Sequence, residues 1–186
     1  WFDNVRFGRW EEIASTTNPA PDLTYVSVIW HYAEGVAAAR QGRNDDARQH
    51  LAAMRPLLAD PALRKIMVWD RYPISNAAEI AERSLTAEVA LLDNDSHAAI
   101  AALQEAVSIA DQTPYDEPPA WHSPTRHALG AVLLGAGKAA EAEAVYRAEL
   151  KRNPQNGWSL HGLAMSLRAQ QRNAEAAEVE KRFADA

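Results

Sequence analysis

Two histidines, His127 and His161, lie 34 residues apart, and a third, His122, stands five residues before the first of them. Imidazoles that converge can hold a divalent metal, each at ~2 Å from the ion. No close pair of the H-x₃-H or H-E-x-x-H kind accompanies them, so they read as polar groups along a recognition surface, and no metal is expected. Other chemistry is poorer still. The chain has no cysteine, which removes thiol nucleophiles, disulfides and thiolate ligands. Asp116 and Glu117 are neighbours in a loop, and adjacency there does not make an acid/base pair. Leu134-Gly135-Ala136-Gly137-Lys138-Ala139 superficially matches a phosphate loop. Its first glycine is missing, and Ala139 stands where Ser or Thr would hold magnesium. No serine sits in a nucleophile elbow. The sequence therefore predicts no catalytic residue, no cofactor and no enzyme activity.

The elements that position these residues follow a period. Leu129-Gly130 is followed 34 residues later by Leu163-Ala164, and Ala142 by Ala176. A fixed period of this size implies two-helix blocks stacked in a row. Counting Ser123 as position 1, small residues fall at position 8 (Gly35, Ala87, Gly130, Ala164) and at position 20 (Ala47, Ala99, Ala142, Ala176). Helices must approach closely at both. Leu129, Leu133, Tyr146, Leu150, Leu163 and Leu167 fill the surrounding positions. The spacing from Ala99 to Ala142 is 43, nine beyond the period, and from Ala47 to Ala99 it is 52, eighteen beyond. The two excesses are insertions, and long loops on a rigid frame commonly carry function.

The predicted fold is all-α, a right-handed α-solenoid over 1–186 read as one domain. It comprises a half-unit 1–16, hairpins 22–60, 76–112, 123–153 and 157–184, and insertions 61–75 and 113–122. Gly8-Arg9 reads as a turn. Asn44 is expected to cap a helix, and Pro56 to bend or shorten it. Leu63, Ile66, Met67 and Trp69 suggest a short extra helix. Ser123-Pro124 reads as a helix start, with Ser as cap and Pro in the first turn.

Composition narrows the partners. The formal charge is −6 with no basic stripe, which argues against nucleic acid. No apolar run approaches ~18 residues, so no membrane insertion is expected. The chain opens on Trp1 inside an incomplete repeat, which suggests that its true N-terminus lies elsewhere. The compartment is left open between bacterial cytoplasm and periplasm.

The chain resembles the tetratricopeptide repeat family. Gly130, Ala142, Tyr146 and Pro154 stand at that family's small, small, aromatic and proline positions. Arg126 takes the place of the usual Trp, and Glu180 that of the aromatic in the last unit. Residues 114–170 also resemble the C-terminal part of a group of bacterial tetratricopeptide proteins that carry further repeats ahead of this region.

The resemblance implies a ligand groove lined by the first helix of each pair, at positions 2, 5, 9 and 12. That register selects Tyr32, Glu88, His127, Trp158, His161, Met165 and Arg168. In the run Trp30-His31-Tyr32 it turns Tyr32 to the groove and leaves the other two to pack or to sit at an edge. Tyr115 and Trp121 could form a flap over the groove; equally, they could cover the apolar edge of the preceding hairpin. The expected function is a non-catalytic scaffold for a protein or peptide partner. A small-molecule or metal module using His122, His127 and His161 is one alternative. A structural segment is the other, and a homo-oligomer is compatible with it.

Overall fold

The computed structural model describes residues 1–117 and 119–184. Eleven helices account for most of the described residues, and the only sheet among them is one short hairpin. No described helix is long and apolar enough to cross a membrane. The chain divides into two compact units, Trp1–Ser123 and Pro124–Ala186.

The first unit opens with α1 (Phe2–Phe7) and α2 (Trp10–Ala14). Between them Gly8 adopts the left-handed conformation (φ 67°), which is the turn expected at Gly8-Arg9. A hairpin of α3 (Thr24–Arg40) and α4 (Asn44–Leu57) follows, then α5 (Ala62–Lys65), strands β1 (Met67–Val68) and β2 (Tyr72–Pro73), and a second hairpin of α6 (Ser75–Leu92) and α7 (Ser96–Gln112). Asp95 caps α7 by accepting a bond from the Ala98 amide. Three local expectations are corrected. Asn44 lies inside α4 and makes no side-chain cap. The extra helix ends at Lys65 and gives way to the β-hairpin. Ser123 does not cap, because Pro124 is extended (ψ 124°) and helix α8 begins only at Thr125. Pro56 lies inside α4, one residue before its end, and does not shorten it: α4 and α9 both run for 14 residues.

The second unit holds two hairpins, α8 (Thr125–Gly135) with α9 (Ala139–Arg152) and α10 (Gly157–Ala169) with α11 (Asn173–Ala184). Gly137 turns the chain between α8 and α9 at φ 75°.

The small positions explain how the helices meet. Ala47, Ala99, Ala142 and Ala176 are all wholly buried (0 % exposed). Gly35 lies where α3 meets α6, and a Cβ there would stand 2.6 Å from a Leu85 methyl. In the second unit the buried ring of Tyr146 lies against both Gly130 of α8 and Gly162 of α10, so a Cβ at either would overlap it. One aromatic on α9 thus locks its own hairpin and seats the next, and the two glycines make the room.

Candidate functional site

Helix α10 presents the clearest exposed constellation. The Asn156 side chain accepts a 3.0 Å bond from the Ser159 amide and so caps the helix. Leu160, Leu163, Ala164 and Leu167 then fall on the buried face. Trp158, His161, Met165 and Arg168 follow one another at steps of three, four and three, which places them together on the opposite face. Trp158 is 57 % exposed and Met165 49 %. Phe183 of α11 joins them at 46 %, its ring 5.9 Å from that of His161. Arg168 makes a two-pronged pair with Glu180, each bond 2.7 Å. The guanidinium beside it holds the Glu180 carboxyl below its ordinary range.

His127 is half-buried, with its Nε2 2.9 Å from the Ser159 hydroxyl. It ties α8 to α10 at the turn that carries Trp158. His127 and His161 thus hold equivalent register positions with different tasks: the first bridges two helices, the second is exposed beside Phe183.

In the first unit two expected contact residues are buried, and this is a correction. Tyr32 and Trp121 are 5 % and 7 % exposed and pack edge to face with ring centroids 5.1 Å apart. Phe2 meets the same indole at 5.1 Å and stacks on His122 at 4.6 Å. Tyr32 is therefore the most buried of the run Trp30-His31-Tyr32. Trp121 packs on Tyr32 of α3 and Phe2 of α1 and forms no exposed flap, because this aromatic area is worth more buried than wet. The Tyr32 hydroxyl stands 3.3 Å from Nε2 of His122. Burial, with help from Arg6, lowers the His122 pKa to about 4, although Asp3 opposes it. Burial raises that of Tyr32.

Glu88 pairs with Arg40 at 2.6 Å. Tyr115 is exposed, its hydroxyl donating to Glu117 two residues on. Among the described residues no three His, Asp or Glu side chains gather as a metal site. His122 belongs to the aromatic cluster of the first unit and His127 to the Ser159 bridge of the second.

Sequence reasoning missed three features. Phe183 was not assigned to the α10 face, although it follows Glu149 by one period. The Met67–Pro73 hairpin carries no glycine or asparagine to announce its turn. The third feature is a pair of imidazoles: Nδ1 of His31 and Nδ1 of His50 are 3.0 Å apart, with the Trp30 ring edge-on to both. One must donate and the other accept, so at least one is neutral. Burial first, and then His50, lowers the His31 pKa to about 4. Burial and Arg43 lower that of His50 against the opposing pull of Asp46. No local spacing links residues 31 and 50; only the α3–α4 pairing does.

The geometry defines a class: all-α, built of helical hairpins, with an aromatic ring locking one hairpin to the next in the second unit. Residues 127–186 match the family model for the tetratricopeptide repeat. Such repeats generally serve as non-catalytic scaffolds for protein interaction. A solved structure of a MamA mutant is similar at 17 % identity, covering 86 % of this chain and 97 % of that one, with a TM-score of 0.37. No curated protein sequence matches.

Proposed function

We propose that the face formed by Trp158, His161 and Met165 of α10, extended by Phe183 of α11, holds an apolar helical segment of a partner protein. The observation that carries the reading is the exposure of three large apolar side chains on one hairpin whose other face is fully packed. Aromatic and Met side chains give much contact area at low entropic cost. The repeat itself supports a helical occupant. His161, Glu180 and Phe183 repeat, one period later, the places of His127, Tyr146 and Glu149. In the earlier block the first two of those places, His127 and Tyr146, meet α10 through Ser159 and Gly162. A helix lying over His161 and Phe183 would take the place in the later block that α10 takes in the earlier one, without an aromatic ring at Glu180. Arg168 is engaged with Glu180, so a carboxylate clamp is disfavoured and apolar contact dominates.

The test is a peptide-display selection against the full chain. Binders should be amphipathic helices, and their affinity should fall about tenfold or more with Trp158→Ala or Met165→Ala, a loss above 1 kcal/mol. The exposed Tyr115→Ala should leave affinity unchanged. Binders indifferent to both α10 substitutions would overturn the reading.

A further inference from the structure

The stretch between α5 and α6 contains a feature that neither the repeat nor the α10 face uses. Strands β1 and β2 pair with Met67 opposite Pro73 and Val68 opposite Tyr72. The Ile74 amide closes the base by donating to the Ile66 carbonyl at 2.9 Å, and the Arg71 amide closes the tip by donating to the Val68 carbonyl at 3.0 Å. The two central turn residues, Trp69 and Asp70, both have positive φ (51° and 54°). Such a turn suits Asn-Gly, whereas a bulky indole there is strained. The base is firmly held. Leu63 and Tyr72 are buried, and the Tyr72 hydroxyl donates to Asp116 at 3.2 Å. The tip is the opposite, with Trp69 74 % exposed; Met67 on β1 (43 %) and Ile66 at the base (50 %) are exposed too. Trp69 has no ring partner among the described residues. The fold thus tolerates a strained backbone to display an indole that packs on nothing, which is the pattern of a functional constraint.

The charges around the tip indicate what it meets. Arg71 at the turn and Arg64 and Lys65 at the end of α5, just before the hairpin, are exposed, in a chain whose net charge is −6. Asp70 opposes them at the tip, and Arg71 also lies 3.8 Å from Asp116. The hairpin thus has an exposed indole at its turn and cations at the turn and just before its base. A deformable anionic interface suits that shape better than a rigid pocket, because Trp settles at headgroup level while Lys and Arg reach phosphates. We propose that this hairpin is a peripheral anchor to an anionic lipid bilayer. Trp69 seats among the headgroups with Met67 behind it, and Arg64, Lys65 and Arg71 face the lipid phosphates. Nothing in the inference depends on the α10 face.

Sedimentation of the full chain with phosphatidylglycerol–phosphatidylcholine vesicles tests it, with pure phosphatidylcholine vesicles as control. The chain should partition onto the anionic vesicles, not onto the control, and should release as salt is raised. Arg64→Gln with Lys65→Gln should weaken partitioning roughly twentyfold, about fivefold for each cation. Trp69→Asn should abolish it while the melting temperature stays level or rises, since asparagine accepts the left-handed turn. That pairing separates a lost anchor from a lost fold. Failure of the intact chain to bind anionic vesicles would overturn the proposal, as would full binding by Trp69→Asn. Capture of an acidic protein by the hairpin, with vesicles ignored, would overturn it too.

Discussion

The two units use the same hairpin for opposite ends. In Trp1–Ser123 a cluster of rings turns inward, although Trp69 and Tyr115 stay exposed: Phe2, Tyr32 and Trp121 close on one another and on His122, while His31 and His50 pair under Trp30. In Pro124–Ala186 a single inward ring, Tyr146, is enough, because Gly130 and Gly162 let the helices close on it. Trp158, Met165 and Phe183 are left outside. A block that departs from the period must fill irregular space with large side chains. A block that keeps the period is locked by small ones and has aromatics free for recognition. The contrast predicts lesions of different kinds in each unit.

The largest effect is expected for Tyr146→Ala. It removes a fully packed ring between three helices and should cost about 3–5 kcal/mol. Hydrogen exchange resolved by segment should show the loss in α8 to α11, with the α3–α4 amides unchanged. A loss spread evenly over both units would dissolve the distinction. Gly130→Leu attacks the same contact from the other side. It forces the Tyr146 ring to move and should destabilise by about 1–3 kcal/mol in thermal melting. An unchanged melting temperature would mean that the ring has another place to go.

Acid should act on the first unit. His31 and His122 have folded pKa values near 4 against 6.5 for a free imidazole, and that of His50 is also lowered. Between pH 6.5 and about 4 the unfolded chain therefore binds more protons than the folded one. Stability is complete above pH 6.5 and falls as the pH drops through that window. Solvent screening moderates the effect at His31 and His50, which are only partly buried. The α3–α4 amides should lose protection first in an exchange series from pH 7 to 4.5, and His31→Gln with His122→Gln should flatten the slope. Equal loss in both units would assign the acid response to general carboxylate titration.

The period made much of this legible. All four position-20 alanines are wholly buried, and Gly130 lies where the register called for a close approach. What failed was exposure. Tyr32 and Trp158 look alike in the register, yet one is core and the other surface, because the insertion that buries Tyr32 under Trp121 lies some ninety residues away in sequence. Helix periodicity reports which residues share a face and cannot report what else comes to cover it. The β-hairpin was hidden for the opposite reason: its turn residues, Trp69 and Asp70, go against local preference, as functional or strained sites do.

The smallest effect concerns Asn156, whose cap links structure to recognition in the second unit. Its side chain holds the Ser159 amide, and the Ser159 hydroxyl meets His127. Asn156→Ala should cost about 1 kcal/mol, as the loss of a helix cap commonly does. The cost should fall on the first turn of α10, which carries Trp158. Exchange at the amides of residues 158–161 should quicken while the Tyr146 contact stays protected, and affinity for an α10-face peptide should drop by a few-fold. Asn156→Asp should restore both, since aspartate caps as well and its charge is favourable at a helix N-terminus. If the amides quicken and affinity does not change, Trp158 binds without needing its turn to be rigid, and the recognising part of the face lies further on, at Met165 of α10 and Phe183 of α11.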